Sequence, residues 1–233
     1  MEINIRNPLV REIKNLELAF SDKEEFFEIN LEDLIEKLKQ LKLRVRAVHA
    51  PAFSISNHEE FISGIKEAVW FCSRVKCDRI VIQPTPAKSY FDSIDFLRDE
   101  ITPILERNNI FLAWENVLGK KNFVNSIFDV LQLSKDLGSY HGVCFNFANV
   151  NMKTDMIIDI LMEYRDDFLV YHLSNYRRSK RYVPLFEGDL DYNKLLVRSF
   201  FNKRSVVSLE YSNAFRDKLF YDYYEVKQWL RLR

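Results

Sequence analysis

Residues 111–117 read FLAWENV, and residues 206–212 read VVSLEYS. Each stretch is an apolar, strand-like run that ends at a glutamate, Glu115 in the first and Glu210 in the second. A carboxylate next to a buried strand is costly, because loss of hydration disfavours the charge unless a partner or a metal compensates it. The same ending at two distant places in the chain therefore indicates a function for the two glutamates.

The segments around these stretches alternate between strand-like and helix-like patterns with short connections. Such alternation predicts an α/β fold with a parallel sheet. Counting a short first strand, EINI at residues 2–5, the chain of 233 residues holds up to eight strand–helix units. That number suits a closed (β/α)8 TIM barrel, with residues 1–233 as a single domain. A doubly wound open sheet is the alternative, and it is disfavoured because the first strand–helix turn lacks the glycines of a nucleotide site.

The side chains of a strand alternate between its two faces, so their phase selects those that point into a barrel. Glu115 is in phase with Ala113, and Glu210 with Ser208, while the opposite phase holds bulky residues such as Trp114. The same test finds polar side chains at the ends of further strands, namely His49, Gln83, Asn146 and His172. Because catalytic groups lie at the C-terminal ends of barrel strands, these side chains are predicted to share one mouth.

Two glutamates and a histidine from separate strands form an oxygen-rich ligand set with one imidazole. Such a set suits a divalent Mn, Mg, Co or Zn ion, which would also explain how two carboxylates tolerate each other in one mouth. Of the 4 histidines, His58 and His141 are predicted to be structural, since His141 precedes its strand. Glu17 is a weaker site candidate, because the phase of its short run NLELAF is not determined.

The composition is that of a soluble globular protein without a global charge. The chain has 34 basic and 34 acidic residues, so no overall field attracts nucleic acid or an acidic membrane,. The first residues lack the pattern of a signal peptide, and no apolar run has the length of a membrane span,. The 3 cysteines show no metal-ligand spacing, which predicts reduced thiols and a cytoplasmic location,.

The motifs VHAP, IQPTP, AWENV, GVCFNFANV, VYHLSN, PLFEGDLDY and SLEYS occur in an order that resembles the xylose isomerase-like TIM barrels. This superfamily includes sugar and sugar-phosphate isomerases and epimerases as well as endonuclease IV. The resemblance implies one metal ion with four ligands, which are Glu115, Asn146, His172 and Glu210. It also implies that Glu115 and Glu210 are the acid–base pair that moves a proton beside the carbonyl of a sugar or sugar phosphate.

Departures from the family pattern change these expectations. Asn146 and Asn149 stand where an aspartate and a histidine are usual after the sixth strand, and Gln83 replaces the second strand-end histidine of endonuclease IV. Lys180 and Tyr182 replace an aspartate and a histidine before the turn at 186–188. The replacements exclude a trinuclear zinc cluster and leave the single metal site one charge short, so a weaker metal affinity is expected.

A basic loop, NYRRSKRY at residues 175–182, follows the seventh predicted strand. Its cations could clamp a phosphate or carboxylate of the substrate, to which Lys88 could add, and a solvated loop is the alternative interpretation. The predicted substrate-binding residues are His49, Gln83, Asn149, Asn175, Arg177, Lys180 and Glu187.

Three functions remain open from the sequence, and the oligomeric state is not determined by it. The leading hypothesis is a sugar or sugar-phosphate isomerase or epimerase. The second is a metal-free member that binds a small anion or a protein partner without turnover, which the replaced ligand positions suggest. The third, a nucleic-acid-binding relative of endonuclease IV, is least favoured because the overall charge is neutral,.

Overall fold

The computed structural model describes residues 15–20, 22–87, 89–118 and 123–232. Strands and helices alternate along the chain, as predicted. The strands are β1 (Asn15–Ala19), β2 (Arg44–His49), β3 (Arg79–Ile82), β4 (Phe111–Glu115), β5 (His141–Asn146), β6 (Phe168–Leu173), β7 (Asn175–Arg177), β8 (Lys180–Val183) and β9 (Val206–Leu209). The helices are α1 (Lys23–Glu28), α2 (Leu31–Gln40), α3 (His58–Val75), α4 (Tyr90–Phe96), α5 (Thr102–Asn108), α6 (Ile127–Leu137), α7 (Thr154–Glu163), α8 (Tyr192–Leu195) and α9 (Arg216–Leu232).

The main sheet has seven strands in the order β1-β2-β3-β4-β5-β6-β9, and every neighbouring pair is parallel. It forms a nearly closed barrel surrounded by helices, which confirms the predicted TIM-barrel fold. The other two strands, β7 and β8, form an antiparallel hairpin directly after β6. The sequence pattern predicts only a loop there, because the hairpin strands are too short to show a period.

The described residues contain seven barrel strands, whereas the sequence pattern predicts up to eight. The predicted first strand, EINI, and Lys88 lie outside the described residues. In the part of the chain that is described, β1 and β9 are the two edges of the sheet. A cavity of about 430 Å³ lies beside these edges and α9, and its mostly apolar lining includes Leu16, Val207 and Val226.

The alternation of side chains separates a thin inner core from a thick outer one. The inner core is a layer inside the barrel made of Ala47, Val81, Ala113, Cys144, Val170 and Val206. Residues of the opposite phase, such as Trp114, Phe145 and Tyr171, belong to the main core with the helices. Burial of this apolar surface is the main favourable term in folding. The inner layer contains the residues predicted to be in phase with the polar strand ends, so the predicted phase is confirmed.

Six of the described helices, α1, α2, α3, α4, α6 and α8, begin at a side chain that caps the first turn. Asn30 precedes an amphipathic run in the sequence, which predicts a cap, and its side chain does cap α2 by accepting from two backbone N–H groups,. The spacing from Ser56 to Glu59 in the sequence predicts a capping box, and this prediction is wrong, because Asn57 caps α3 and accepts from the N–H of Glu60,. An asparagine oxygen serves this purpose as well as a serine oxygen. Among the described helices, none combines the length and the apolar character that a membrane crossing requires.

Two histidines are structural, as predicted. His141 begins β5, at the end of the barrel opposite to the strand ends, and its Nδ1 accepts from Trp114 Nε1 at 3.2 Å. Its Nε2 lies 2.9 Å from Thr102 Oγ1. Burial lowers the pKa of His141 to about 3, so the ring is neutral. His58 stacks on Phe96 with 3.8 Å between the ring centroids.

Candidate active site

Polar side chains from six barrel strands meet at the C-terminal mouth of the barrel. They stand at the ends of β2, β3, β4, β5, β6 and β9 and are His49, Gln83, Glu115, Asn146, His172 and Glu210. Hydrogen bonds or ion pairs connect all of them into one network. The structure therefore brings together every strand-end residue that the sequence phase selects.

Glu115 is the centre of this network. The carboxylate is fully buried, and its Oε1 accepts from Asn146 Nδ2 at 2.6 Å and lies 3.2 Å from His172 Nδ1. Its Oε2 accepts from Gln83 Nε2 at 2.8 Å and lies 3.4 Å from His49 Nε2. Burial by itself would raise the pKa of Glu115, but the hydrogen bonds and charges of His172 and His49 hold it well below the usual value. Glu115 is thus an anion at neutral pH.

Asn146 joins the two glutamates. Its Nδ2 donates to Glu115 Oε1 at 2.6 Å and to Glu210 Oε2 at 2.8 Å. Its Oδ1 accepts from the backbone N–H of Ala148 at 3.0 Å. The neighbouring Asn116 binds both backbone groups of Asn146, since its Oδ1 accepts from the N–H at 2.7 Å and its Nδ2 donates to the carbonyl at 3.0 Å. The amide nitrogen of Asn146 therefore faces the carboxylates.

His172 lies between carboxylates on both sides of its ring. Nε2 is 2.9 Å from Glu17 Oε1, and Nδ1 is 3.2 Å from Glu115 Oε1 and 3.5 Å from Glu210 Oε2. Burial lowers the pKa of His172, but contacts with Cys144, Glu17 and Glu115 outweigh it and raise the pKa well above the usual value. The ring is therefore an imidazolium that compensates the surrounding carboxylates.

Glu17 is a full member of the site, although the sequence marks it only as a weaker candidate. Burial would raise its pKa, but the charge and hydrogen bond of His172 lower it below the usual value, with help from a hydrogen bond to Ser208. Because Ser208 belongs to β9 and Glu17 to β1, this contact also connects the two edge strands. The signal for Glu17 is present in the run NLELAF, but the strand has only 5 residues.

The exposure of these groups differs, and this separates their possible roles. The Glu210 side chain is 35% exposed, whereas those of Glu17 and Glu115 are 7% and 0% exposed. The His49 side chain is 13% exposed, and its ring centroid lies 5.4 Å from that of His172. Burial lowers the pKa of His49, but the hydrogen bond and charge of Glu115 raise it above the usual value. Glu210 and His49 are thus the charged groups that a ligand can reach.

Tyr182 reaches the site from the β7–β8 hairpin and is a residue that the strand-end pattern does not find. Its hydroxyl donates to Asn149 Oδ1 at 3.4 Å, and Asn149 Nδ2 donates to the Asn116 carbonyl at 3.3 Å. Burial raises the pKa of Tyr182, and the nearby charge of Glu210 raises it further. A neutral phenol near Glu210 can donate a hydrogen bond to a ligand when its single O–H turns away from Asn149,.

The basic loop forms this hairpin, and its cations have different surroundings. Arg181 is structural, because its Nη1 donates to the Ala148 carbonyl at 2.7 Å and its guanidinium lies over the Tyr176 ring, 4.7 Å from the centroid. Arg177 and Lys180 are exposed and flank the hairpin turn. These two cations, with the exposed Arg178 in the turn between them, are available for an anionic ligand.

Two of the predicted substrate-binding residues have protein partners instead. Glu187 forms an exposed ion pair with Lys218 at 2.9 Å. Asn175 is fully buried, and its Nδ2 donates to the carbonyls of Leu185 and Leu190 at 2.6 and 2.9 Å. Its Oδ1 accepts from two backbone N–H groups. All the hydrogen-bonding positions of Asn175 are thus occupied by the hairpin and the segment after it. We therefore assign Asn175 to the framework.

We expect Asn175→Ala to lower the free energy of unfolding by about 2–3 kcal/mol, because it leaves buried backbone groups without partners. Urea unfolding measures the loss, and limited proteolysis should show new cleavage within residues 175–190. The matched control is Arg177→Ala, an exposed change on the same hairpin, for which a change within about 0.5 kcal/mol is expected. Equal stability of the two variants would show that Asn175 does not hold the hairpin.

Two groups of side chains could hold a divalent ion. One consists of Glu17, His49 and His172, and the other of Glu115, Cys144 and His172. Within each group the ligand atoms lie within 4.8 Å of one another. Burial raises the pKa of the Cys144 thiol to about 12, so the second group would have to lose a proton before it bound a metal,. A divalent metal at the mouth is compatible with these positions if it displaces the proton of His172, which both groups share,.

The four-ligand set implied by the family resemblance differs from these two groups, because it includes Asn146, which does not turn a ligand atom toward the glutamates. Its Nδ2 faces Glu115 and Glu210, and an amide nitrogen has no lone pair available for a metal,. Its oxygen accepts from the Ala148 N–H instead. The set that includes Asn146 therefore does not fit a metal ion in this arrangement.

Known proteins similar to this chain share its barrel. The family profile described as xylose isomerase-like TIM barrel matches residues 13–230. A search of curated protein sequences found no match. Among solved structures, the IOLI protein with a bound zinc atom is similar, with 19% identity, a TM-score of 0.69 and coverage of 96% of this chain and 88% of that one.

Two sugar epimerases are also similar in structure. The 3-keto-D-glucoside 4-epimerase of E. coli has 15% identity and a TM-score of 0.65, and 95% of this chain and 100% of that chain are covered. The D-allulose 3-epimerase of Methylomonas sp., in complex with D-allulose, has 14% identity and a TM-score of 0.68. The match covers 88% of this chain and 76% of that one. At such identities the similarity establishes the fold. With a family match that extends over nearly the whole chain and a parallel barrel that agrees with it, this protein belongs to the xylose isomerase-like TIM barrel family.

Proposed function

We propose that the protein is an isomerase or epimerase that moves a proton beside the carbonyl group of a sugar or sugar phosphate. The family match and the similarity to sugar epimerases, one of them in complex with D-allulose, support this proposal. The site itself supports it more directly. Glu115 and Glu210 lie side by side at the mouth, and an enolisation needs a carboxylate at the carbon that loses its proton,.

Glu210 is the general base in this proposal. A base must come within hydrogen-bonding distance of the proton that it removes, and Glu210 is the most exposed of the carboxylates contacting His172,. Asn146 and His172 both contact its Oε2. We therefore assign Oε1 of Glu210 to the substrate proton.

Glu115 has a supporting role, because both of its oxygens are occupied by protein groups. Its charge holds the rings of His49 and His172 in place and keeps Asn146 pointed at Glu210. A residue with a pKa held so low is a poor acceptor of a proton,. Its removal would act on the geometry of the site rather than on the proton itself.

Loss of the proton places negative charge on the carbonyl oxygen of the substrate, and donors already in position stabilise that charge. His49 is one such donor, since Glu115 raises its pKa and its side chain is partly exposed. The Tyr182 hydroxyl is another once its single O–H turns from Asn149 Oδ1, 3.4 Å away, to the substrate,. Return of the proton from Glu210 to the former carbonyl carbon gives the isomer, as the hydroxyl proton of the deprotonated carbon passes to the former carbonyl oxygen. Delivery of a solvent proton to the opposite face of the deprotonated carbon gives the epimer, and Glu210 then releases its proton to solvent.

The observation that carries the proposal is the pair of glutamates joined through Asn146 at 2.6 and 2.8 Å, with Glu210 open to the mouth. The test is incubation in heavy water with a panel of ketoses, aldoses and their phosphates, with and without added divalent ions. Proton NMR follows the loss of the C–H signal beside the carbonyl. We expect exchange with at least one sugar, whereas a folded protein that exchanges none of them would refute proton transfer.

The exposed cations of the hairpin predict a preference for phosphorylated substrates. We expect the double change Arg177→Ala and Lys180→Ala to raise KM for a sugar phosphate roughly tenfold, because exposed ion pairs contribute up to about 1 kcal/mol each. KM for the unphosphorylated sugar should stay unchanged. The matched control is Lys37→Ala with Lys39→Ala on the exposed face of α2. Equal effects on both substrates would contradict a phosphate-binding hairpin.

Binding of a small anion without turnover is the second candidate function. It is favoured by the fact that Glu115, Asn146 and His172 already satisfy one another. Calorimetry would then detect binding of a sugar phosphate, and heavy water would show no exchange. In that case Glu210→Gln should leave the binding affinity unchanged.

A further inference from the structure

We infer that the side-chain amide of Asn146 takes the place of a divalent metal ion between Glu115 and Glu210, and that it excludes the ion from this position. The inference rests on the proposed function only for the catalytic roles of Glu115 and Glu210. Its test measures metal binding and not turnover, so a failure of one can be told from a failure of the other.

Contacts with the protein determine which way the Asn146 amide points. The Asn146 Oδ1 accepts from the Ala148 N–H at 3.0 Å, and Asn116 binds the backbone of Asn146 on both sides. Exchange of the amide oxygen and nitrogen would place the oxygen against the carboxylates of Glu115 and Glu210. It would also place the NH₂ group against the Ala148 N–H. Both contacts would be repulsive, so the orientation is determined by the protein.

The amide nitrogen of Asn146 binds both glutamates. One nitrogen donates to an oxygen of each glutamate, at 2.6 and 2.8 Å. Its two N–H groups carry partial positive charge, so they hold the carboxylates together much as a cation would. A bound ion would need oxygen lone pairs that these N–H groups already occupy.

The His172 ring lies among the same carboxylates. Its Nδ1 lies 3.2 Å from Glu115 and 3.5 Å from Glu210, and its Nε2 lies 2.9 Å from Glu17. A metal-binding histidine could keep the Glu17 contact at Nε2, so the relevant nitrogen is Nδ1. Nδ1 lies close to both glutamates, whereas a metal ligand needs a free lone pair on the nitrogen that points to the ion. The network is complete around the place that an ion would take.

The experiment compares the wild-type chain with Asn146→Asp, which restores the missing charge and replaces the NH₂ group by an oxygen. Each protein is dialysed against Co²⁺, its metal content is measured by mass spectrometry, and the visible absorption of bound Co²⁺ is recorded. We expect Asn146→Asp to bind one ion per chain on the order of 100-fold more tightly than the wild type, because affinity rises with the charge of the ligands. The added change Glu210→Gln should abolish that gain.

A second comparison does not depend on the folding of Asn146→Asp. The wild type and its Glu210→Gln variant are titrated with Co²⁺ in parallel. Equal Co²⁺ binding by these two proteins, at any level, supports the inference, because it places any ion among the other histidine groups. Tight binding by the wild type that is lost in Glu210→Gln would overturn it. A folded Asn146→Asp protein, verified by circular dichroism, that gains no affinity would also overturn it.

Discussion

The change Glu210→Gln should slow the exchange of the substrate C–H proton with solvent by roughly 10²–10⁴-fold, the usual contribution of a general base. Glutamine retains the shape of the side chain, and its oxygen can still accept from Asn146 Nδ2. It cannot take up a proton from carbon. We therefore expect the loss to appear in kcat for exchange, with little change in substrate affinity, as followed by NMR in heavy water.

Glu187→Gln is the matched control, because Glu187 is an exposed carboxylate paired with Lys218 outside the strand-end network. This variant should exchange the substrate proton at the wild-type rate. If Glu210→Gln were equally active, Glu210 would not be the base, and the proposed assignment of roles at the mouth would be wrong.

The change His172→Ala should lower the free energy of unfolding by about 3–5 kcal/mol, the usual cost of leaving a buried charge without its partner. His172 lies within 3.2 Å of both Glu17 and Glu115, and all three side chains are almost inaccessible to solvent. Without the imidazolium, the two carboxylates would face each other in a closed space. Urea unfolding monitored by circular dichroism measures the difference.

The effect of His172→Ala should depend on pH. The pKa of His172 is raised above 6.5, so its stabilising contribution is fully present below about pH 6.5 and is lost as the pH rises through the folded-state pKa,. The pKa values of Glu17 and Glu115 are lowered below 4.5, so their contributions are present above about pH 4.5 and are lost as the pH falls through those values,. The difference between wild type and variant should thus be largest between these limits and shrink in alkaline buffer.

His58→Ala is the control for this comparison, since His58 is exposed and only stacks on Phe96. Its loss should cost about 1 kcal/mol or less and should not follow the same pH dependence. A His172→Ala protein no less stable than His58→Ala would show that His172 does not neutralise the buried carboxylates.

The strand-end residues could be predicted because their pattern is local. Gln83, Glu115 and Asn146 each end a short apolar run, and the two-residue period of a strand determines which of its side chains point inward,. A parallel barrel then brings the ends of all its strands to one side. The meeting of these residues needed no knowledge of the loops.

Other members of the site could not be predicted in this way. Glu17 contacts His172, which follows 155 residues later, and the register that allows this contact depends on the closure of the barrel. Tyr182 has a φ of 57° and reaches Asn149 from a hairpin that Asn175 holds in place. Such contacts join residues that are far apart in the sequence, so the local alternation of apolar and polar residues does not predict them.

The sequence by itself determined the alternation of strands and helices and the polar residues at the ends of six barrel strands, since both follow from short-range patterns of apolar side chains. Only the tertiary structure decided which atoms of those residues meet. The Asn146 amide nitrogen faces Glu115 and Glu210 because Ala148 engages its oxygen while Asn116 holds its backbone. An asparagine with other backbone neighbours could present its oxygen instead. The choice of hydrogen-bond partner depends on distances between strands that are far apart in the chain.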